Sequence, residues 1–205
     1  IVSFLPLSHI AAQIIDVYSP LTYGCTVFFA QPDALKGSLV ETLKEVRPTI
    51  FFAVPRVWEK IEEKLRAVGA ASSGARKLVA EWAKAVSRRT VKRVLLGGRD
   101  PAFGFSAANF LLGKAREAIG LDRCKGFFSA AAPIRVTTVE YFMSLGIPIC
   151  DAYGMSECTG PECISEPRVG AYKLGSVGRS LRGSEVWIAQ PDAKGHGEIC
   201  WRGRN

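Results

Sequence analysis

Short runs rich in β-branched and aromatic residues alternate with stretches of helical periodicity along this 205-residue chain. That alternation constrains the fold more than any other feature. Residues 2–5, 25–30, 50–54, 125–128 and 147–151 read as strands. Each is apolar on both faces, as a strand covered on two sides requires. Between them, residues 10–18, 38–46, 57–68, 75–95, 105–119 and 135–145 carry helical periodicity. Punctuation agrees: Pro6 and Pro55 stop strands, Pro20 and Gly24 close the first helix, and Gly146 ends the last. Ser38 with Glu41 three residues on predicts a capping box. Residues 69–74 read as a small-residue linker and 97–104 as a turn-rich break. The expected fold class is α/β, a mostly parallel sheet flanked by helices.

Beyond about residue 174 the texture changes. Residues 185–188 and 198–201 alternate with period two and are joined by Pro191-Asp192-Ala193-Lys194-Gly195, the pattern of an antiparallel hairpin. The expected organisation is an α/β unit over 1–174, with a helical insert at about 74–120, and the start of a small β subdomain over 175–205. There are no internal repeats and no low-complexity segments.

Composition narrows the class. With 48% hydrophobic and 22% charged residues, the chain is of ordinary globular character. Its length suffices for one domain, or for one domain and the start of another. No apolar run is long enough to cross a bilayer. The opening Ile1-Val2-Ser3-Phe4 carries neither an initiator Met nor the basic region of a secretory signal. A soluble or peripheral intracellular protein is the expectation. The net charge of +8 suits an anionic substrate, a membrane surface or nucleic acid, and equally a scattered solvated charge. Cysteines stand at 25, 124, 150, 158, 163 and 200, with no C-x-x-C and only two histidines. Zinc-ligand spacing is therefore absent, and these cysteines read as reduced core residues of a cytosolic chain.

Ligands of open α/β sheets bind beyond the carboxyl ends of the strands. Three segments fall there: Leu5-Pro6-Leu7-Ser8-His9, Ser129-Ala130-Ala131-Ala132-Pro133 and Ala152-Tyr153-Gly154-Met155-Ser156-Glu157. Small residues let a flat ligand approach the backbone, a tyrosine offers a stacking face, a serine hydroxyl bonds a phosphate oxygen, and a carboxylate holds Mg²⁺. These are parts of a nucleotide site built without a Walker loop, and no G-x-x-x-x-G-K-[ST] occurs in the chain.

The residues carry a more specific resemblance. Tyr153-Gly154-Met155-Ser156-Glu157-Cys158-Thr159-Gly160 resembles the Tyr-Gly-x-Thr-Glu signature of the adenylate-forming superfamily. Leu5-Pro6-Leu7-Ser8-His9-Ile10 is similar to that superfamily's acyl-site motif, and Phe128-Ser129-Ala130-Ala131-Ala132-Pro133 to its adenine loop. Gly175-Ser176-Val177-Gly178-Arg179 and Gly197-Glu198-Ile199-Cys200-Trp201-Arg202-Gly203 resemble two later motifs, in the same order. Val54-Pro55-Arg56-Val57-Trp58-Glu59-Lys60 and the helical insert look like long-chain fatty acyl-CoA synthetases, and the wording of the first two loops looks most like their bubblegum group.

The resemblance implies activation of a long-chain fatty acid with ATP and Mg²⁺, through acyl-AMP, to the thioester of CoA. It implies Glu157 as the Mg²⁺ ligand, Ser156 as the hydroxyl on the α-phosphate, and Tyr153 with Gly154 beside the adenine face. Asp151 falls at the adenine amino group, Ala131 and Ala132 at the adenine-loop backbone, and His9 near the acyl carboxylate and α-phosphate. Ala130 and Ala152 stand where glycine is frequent. The phosphate loop, the ribose-binding Asp and the C-terminal catalytic Lys have no counterpart in these residues, so the chain is expected to be an internal part of the enzyme and inactive alone.

Other readings stay open at the level of residues. His9 also suits a helix cap. Arg76, Lys77, Arg88, Arg89, Lys92 and Arg93 make a basic stripe that is either a solvated face or a peripheral contact with anionic lipid heads, on the endoplasmic reticulum or another intracellular membrane. Leu95, Leu96, Phe110 and Leu111 suit either core packing or an acyl tunnel. An aryl or amino-acid activator and a non-catalytic basic module binding membrane or nucleic acid are the rival functions. Amino-acid activators usually carry an acid for the substrate amine and none is assigned here, Asp151 being given to adenine; the basic stripe lacks the interleaved aromatics of single-strand binders.

Overall fold

The computed structural model describes residues 1–71, 73–95, 97–98, 101–167 and 172–203. The first strand, β1 (Val2–Ser3), leads through a loop into α1 (Ile10–Gln13), a π turn (Ile14–Tyr18) and α2 (Ser19–Tyr23). This helical run passes through Pro20, where the sequence predicted its end. The Ser19 amide donates five residues back to the Ile14 carbonyl. A prolyl ring normally clashes with the carbonyl four residues back, and the wider π turn just before it relieves that clash. The run ends instead at Gly24, in the left-handed conformation.

A short parallel strand, β2 (Phe28–Phe29), pairs with β1. A 3-10 turn (Ala34–Lys36) then precedes α3 (Leu39–Val46). The capping box predicted at Ser38 does not form. Ser38 already has helical backbone angles (φ −80°, ψ −5°) rather than the extended ones of a cap, and its hydroxyl is turned upstream to donate to Asp33 Oδ1 at 2.7 Å.

The main sheet has the order β3 (Ile50–Ala53), β4 (Gly126–Ser129), β5 (Ile149–Met155), β6 (Gly160–Ile164), β7 (Arg179–Ser180). The first three strands run parallel and the last two pairings are antiparallel. The α/β class holds, with a sheet that is mixed rather than purely parallel because β6 returns straight from β5 through a tight turn instead of a crossover helix. β7 lies beyond residue 174 and still bonds into this sheet. A separate hairpin follows, β8 (Glu185–Ala189) against β9 (Glu198–Arg202), its loop held by Asp192 Oδ1 accepting from the amides of Lys194 and His196.

Four longer helices connect and cover these strands: α4 (Pro55–Ala70), α5 (Gly74–Leu95), α6 (Phe105–Glu117) and α7 (Val136–Ser144). Pro55 starts α4 immediately after β3, where its missing amide hydrogen costs nothing. The helix then runs through Gly69, into the stretch read as linker. α5 packs against both α6 and α7, and α7 also against α4. The core centres on Trp58, which is fully buried between Phe51 and Phe142 in edge-on contacts of 5.1 and 4.9 Å. Its indole Nε1 donates to the Phe128 carbonyl at 3.1 Å, so the core fixes the backbone of β4 one residue before the loop that leaves it.

Two side-chain clamps hold the sheet connections. Arg47, at the end of α3, pairs with Asp122 in a two-pronged ion pair, with Nε to Oδ1 at 3.1 Å. Arg116 Nη1 of α6 donates to the Leu145 carbonyl at 2.8 Å. Of the residues read as core or acyl tunnel, Leu95 is buried in a cluster with Val139, Met143, Cys150 and Tyr172. Phe110 and Leu111 are exposed, and Leu96 lies outside the described residues.

Candidate functional site

Parallel pairing of β3, β4 and β5 points their carboxyl ends the same way, and the loop leaving β4 starts there beside Asp151 of β5. At the end of β4, Ser129 is the register partner of Asp151 on β5. Parallel register partners project to the same face. Ser129 is fully buried and its Oγ has no hydrogen-bond partner among the described residues. The chain then turns outward through exposed Ala131 and Ala132. Ala131 has φ +76°, a left-handed conformation that costs an alanine about 1 kcal/mol or more. Such strain marks a loop whose backbone path is dictated by something other than local preference.

Asp151 is half-buried. Burial pushes its carboxyl up to about 6 from an ordinary value of 3.8, only partly offset by the Ala152 amide that donates to Oδ1 at 3.1 Å. The Ser165 amide donates to the Asp151 carbonyl at 2.8 Å. The Ser165 hydroxyl is buried without a partner among the described residues, in a small cavity shared with Asp151, Ile149, Tyr172 and Ser176. Ser165 and Tyr172 carry no motif signal in the sequence; only the pairing of β6 with β5 brings Ser165 to this place.

The Tyr153-to-Glu157 segment is not the loop after a strand that the sequence suggested. β5 runs on to Met155, since β6 supplies hydrogen-bond partners on its free edge: Ala152 pairs with Ile164, Tyr153 with Cys163 and Met155 with Gly160. The register shifts between Tyr153 and Gly154. There the backbone of β6 comes so close that a Cβ built on Gly154 would lie 1.9 Å from the Gly160 carbonyl oxygen. Only glycine fits between the two strands. A 3-10 turn, Ser156–Cys158, closes the hairpin, with the Thr159 amide donating to the Ser156 carbonyl at 3.1 Å. Ser156 and Glu157 are exposed on this turn while Cys158 is buried beneath it. The Glu157 carboxylate has no hydrogen-bond or ion-pair partner among the described residues.

His9 stands at the start of α1 and is exposed. Its Nδ1 accepts from the Ala11 amide at 3.1 Å, so it does cap the helix. An accepting Nδ1 places the imidazole proton on Nε2, leaving one donor turned away from the helix. With Leu5, Pro6, Ser8, Ala11 and Val54, His9 lines an apolar cleft of about 220 Å³. Val54 follows β3, so this cleft opens beside the same sheet edge. The helical run after His9 reaches the Glu157 turn: Ile14 Cδ1 lies 2.3 Å from where a Cβ on Gly160 would be. A larger groove of about 480 Å³ lies along α3 and α4, lined by Leu39, Val57, Ile61 and Ala67 and rimmed by Lys36 and Lys64. It has none of the strand-end loops and stands apart from this arrangement.

The chain is similar throughout to a set of known proteins. The long-chain-fatty-acid–CoA ligase ACSBG2 of Gallus gallus is 53% identical over 206 residues, covering 100% of this chain and 27% of its own length. The human long-chain-fatty-acid–CoA ligase ACSBG1 is 44% identical over 206 residues, covering 100% of this chain and 28% of its own. The chain thus spans about a quarter to a third of the length of the curated relatives it matches. Among solved structures, the A-PCP didomain of carboxylic acid reductase from Segniliparus rugosus, in complex with AMP, superposes with a TM-score of 0.63 at 20% identity, over 99% of this chain and 24% of that one. O-succinylbenzoate coenzyme A synthetase from Bacillus subtilis, in complex with ATP and magnesium ion, gives 0.57 at 17% identity, over 98% of this chain and 32% of that one. At these identities the two structures speak to the fold. The family model described as AMP-binding enzyme matches residues 1–205. From its first residue to its last, this chain belongs to the AMP-binding enzymes.

Proposed function

We propose that the chain is the central part of an ATP-dependent long-chain fatty acid–CoA ligase, and that it carries the adenine, α-phosphate and metal positions together with part of the acyl site. The observation that carries this reading is that a strained alanine loop leaves β4 directly after Ser129, the register partner of the half-buried Asp151, and that the strand bearing Asp151 runs on into an exposed Ser-Glu turn. In the first half-reaction a carboxylate oxygen of the acid bonds to the α-phosphorus of ATP, and the bond from that phosphorus to the β-phosphate bridging oxygen breaks, releasing pyrophosphate. In the second, the sulfur of CoA attacks the acyl carbon and AMP leaves. The protein's part is to position groups and balance charge.

Each residue has a part in that scheme. Ala131 and Ala132 present backbone to the adenine edge, Tyr153 stacks beside the ring next to Gly154, and Asp151 accepts from the adenine amino group. Ser156 donates to an α-phosphate oxygen, and His9 directs its Nε2 hydrogen toward the acyl carboxylate. Glu157 fits Mg²⁺, which characteristically takes one or two carboxylates and completes its shell with phosphate oxygens and water. Its exposed carboxylate, without a partner among the described residues, would supply the one protein donor, and no group of three or more metal-binding side chains occurs among the described residues. The ion supplies neutralisation of the phosphate charge.

Exchange of pyrophosphate into ATP by the full-length protein tests the reading. Long-chain acids should drive it more strongly than short-chain, aryl or amino acids. Exchange driven instead by an aryl or amino acid would keep the family and discard this substrate.

Asp151 makes the reading pH-dependent. Its folded-state value lies above the ordinary one, so its contribution to folding stability is full below about pH 4 and is lost as pH rises through about 6. Nucleotide works the other way, because an adenine amino group donates best to the ionised carboxylate. AMP affinity, measured by calorimetry, should therefore fall as pH drops through about 6, and Asp151→Asn should flatten that profile. An unchanged profile in the variant would place adenine elsewhere.

No helix among the described residues is long and apolar enough to cross a membrane. The basic residues of α5 offer a peripheral contact: Arg88, Arg89 and Arg93 are exposed, and Lys92 shares Glu140 at 3.4 Å. We infer that this stripe meets anionic lipid heads at an intracellular membrane. Reversing Arg88, Arg89 and Arg93 to Glu should lower sedimentation of the full-length protein with anionic liposomes several-fold at low salt. Unchanged sedimentation would leave the stripe a solvated face.

A further inference from the structure

Ser156 and Glu157 sit on a turn with little to hold it. Beyond the Met155–Gly160 pair at its base, the Thr159 amide donates to the Ser156 carbonyl, with Thr159 at a left-handed φ of +61°. Neither Ser156 nor Glu157 touches another side chain through a hydrogen bond among the described residues. The turn must nevertheless keep a hydroxyl and a carboxylate aimed at the same side.

Beneath the turn lies the Cys158 thiol, 1% exposed. Its Sγ accepts from the Met155 amide at 3.3 Å. It also lies 3.3 Å from the Met155 carbonyl and 3.2 Å from the Gly160 carbonyl, and its single hydrogen has these two acceptors to choose between. Met155 is the last residue of β5 and Gly160 the first of β6. One sulfur therefore ties both ends of the hairpin to the middle of its turn. A thiol is a weak donor and a weak acceptor, so each bond is small alone. Here they add side-chain contacts to the last register pair of the two strands, Met155 and Gly160, beneath a turn where the sulfur is buried.

We propose that Cys158 is a positioning residue for adenylation: its thiol bonds hold the Met155-to-Gly160 turn so that Ser156 and Glu157 face the α-phosphate and its metal together. This rests on the assignment of Ser156 and Glu157 above. The role lies in hydrogen bonding, not in nucleophilic chemistry, and the sulfur never meets substrate. Loss of the bonds loosens the turn, and the group that suffers first is the metal-binding carboxylate, whose aim depends on the turn alone.

The test uses full-length protein, pyrophosphate exchange, and a titration of Mg²⁺ at saturating ATP and fatty acid. Cys158→Ala should raise the Mg²⁺ concentration for half-maximal exchange about tenfold and lower the maximal rate about tenfold, leaving the KM for the fatty acid unchanged. Cys158→Ser keeps a donor and an acceptor at the same position and should restore most of the Mg²⁺ response. A Cys158→Ala enzyme with wild-type Mg²⁺ dependence would overturn the proposal. So would Cys158→Ser and Cys158→Ala enzymes equally slowed with normal Mg²⁺ dependence, since that pattern reports packing volume. If Cys158→Ala fails to fold, the serine variant carries the test: a Mg²⁺ response within about threefold of wild type supports the proposal, and a tenfold loss overturns it. Absence of exchange in the wild-type protein would instead count against the underlying function.

Discussion

Replacing Glu157 with alanine in the full-length protein should lower acid-dependent pyrophosphate exchange by about 10²–10³-fold, the loss typical of removing one group that stabilises developing charge. The structure sets the character of this effect. Glu157 is exposed and makes no bond to the fold among the described residues, so its loss should leave the denaturation midpoint unchanged within error. A large kinetic defect without a stability defect separates a ligand from a scaffold residue. The defect should shrink as Mg²⁺ is raised, because weakened metal binding is offset by mass action. A stable Glu157→Ala enzyme with normal exchange would remove the metal assignment and with it the role of the turn.

The opposite pattern is expected at Gly154. An added methyl would lie 1.9 Å from the Gly160 carbonyl oxygen, with Pro161 Cα at 2.6 Å, and the obstacle is backbone rather than a side chain that can swing aside. β5 and β6 must separate, or the bulge must move. Gly154→Ala should therefore cost about 3 kcal/mol of stability, at the upper end of overpacking effects, read as a shift in urea midpoint. Displacing the strand pair by even 1 Å carries Ser156 and Glu157 with it, so exchange should also fall by about 10²-fold. A Gly154→Ala protein of wild-type stability would show that the two strands do not pack as described.

Much of this architecture is legible in the sequence, and the exceptions have physical causes. The parallel strands and their flanking helices follow from apolar runs bounded by proline and glycine, signals that act over a few residues. What the sequence conceals depends on partners far along the chain or on geometry outside the common menu. β5 extends through Tyr153 and Gly154 because β6 supplies its edge, and no local propensity of Ala152-Tyr153-Gly154 announces that pairing. Pro20 lies inside a helical run because a π turn makes room for it, and Ser38 does not cap its helix because its own backbone is helical (φ −80°, ψ −5°) and its hydroxyl is turned to donate to Asp33. In the candidate site, the tyrosine, serine and glutamate are found by their motif. The buried hydroxyl of Ser165 and the thiol bonds of Cys158 emerge only when β6 is laid against β5.

In the proposed function, the Ala131 loop, Asp151, Tyr153 and the Ser156-Glu157 turn surround one nucleotide. The most direct measurement is a crystal structure of the full-length protein with AMP and a long-chain fatty acid. Adenine should lie between the backbone of Ala131 and Ala132 and the ring of Tyr153, its amino group within hydrogen-bond distance of Asp151, with the phosphate against the Ser156 hydroxyl. Adenine bound away from the carboxyl ends of β4 and β5, or a phosphate out of reach of the Ser156-Glu157 turn, would contradict it.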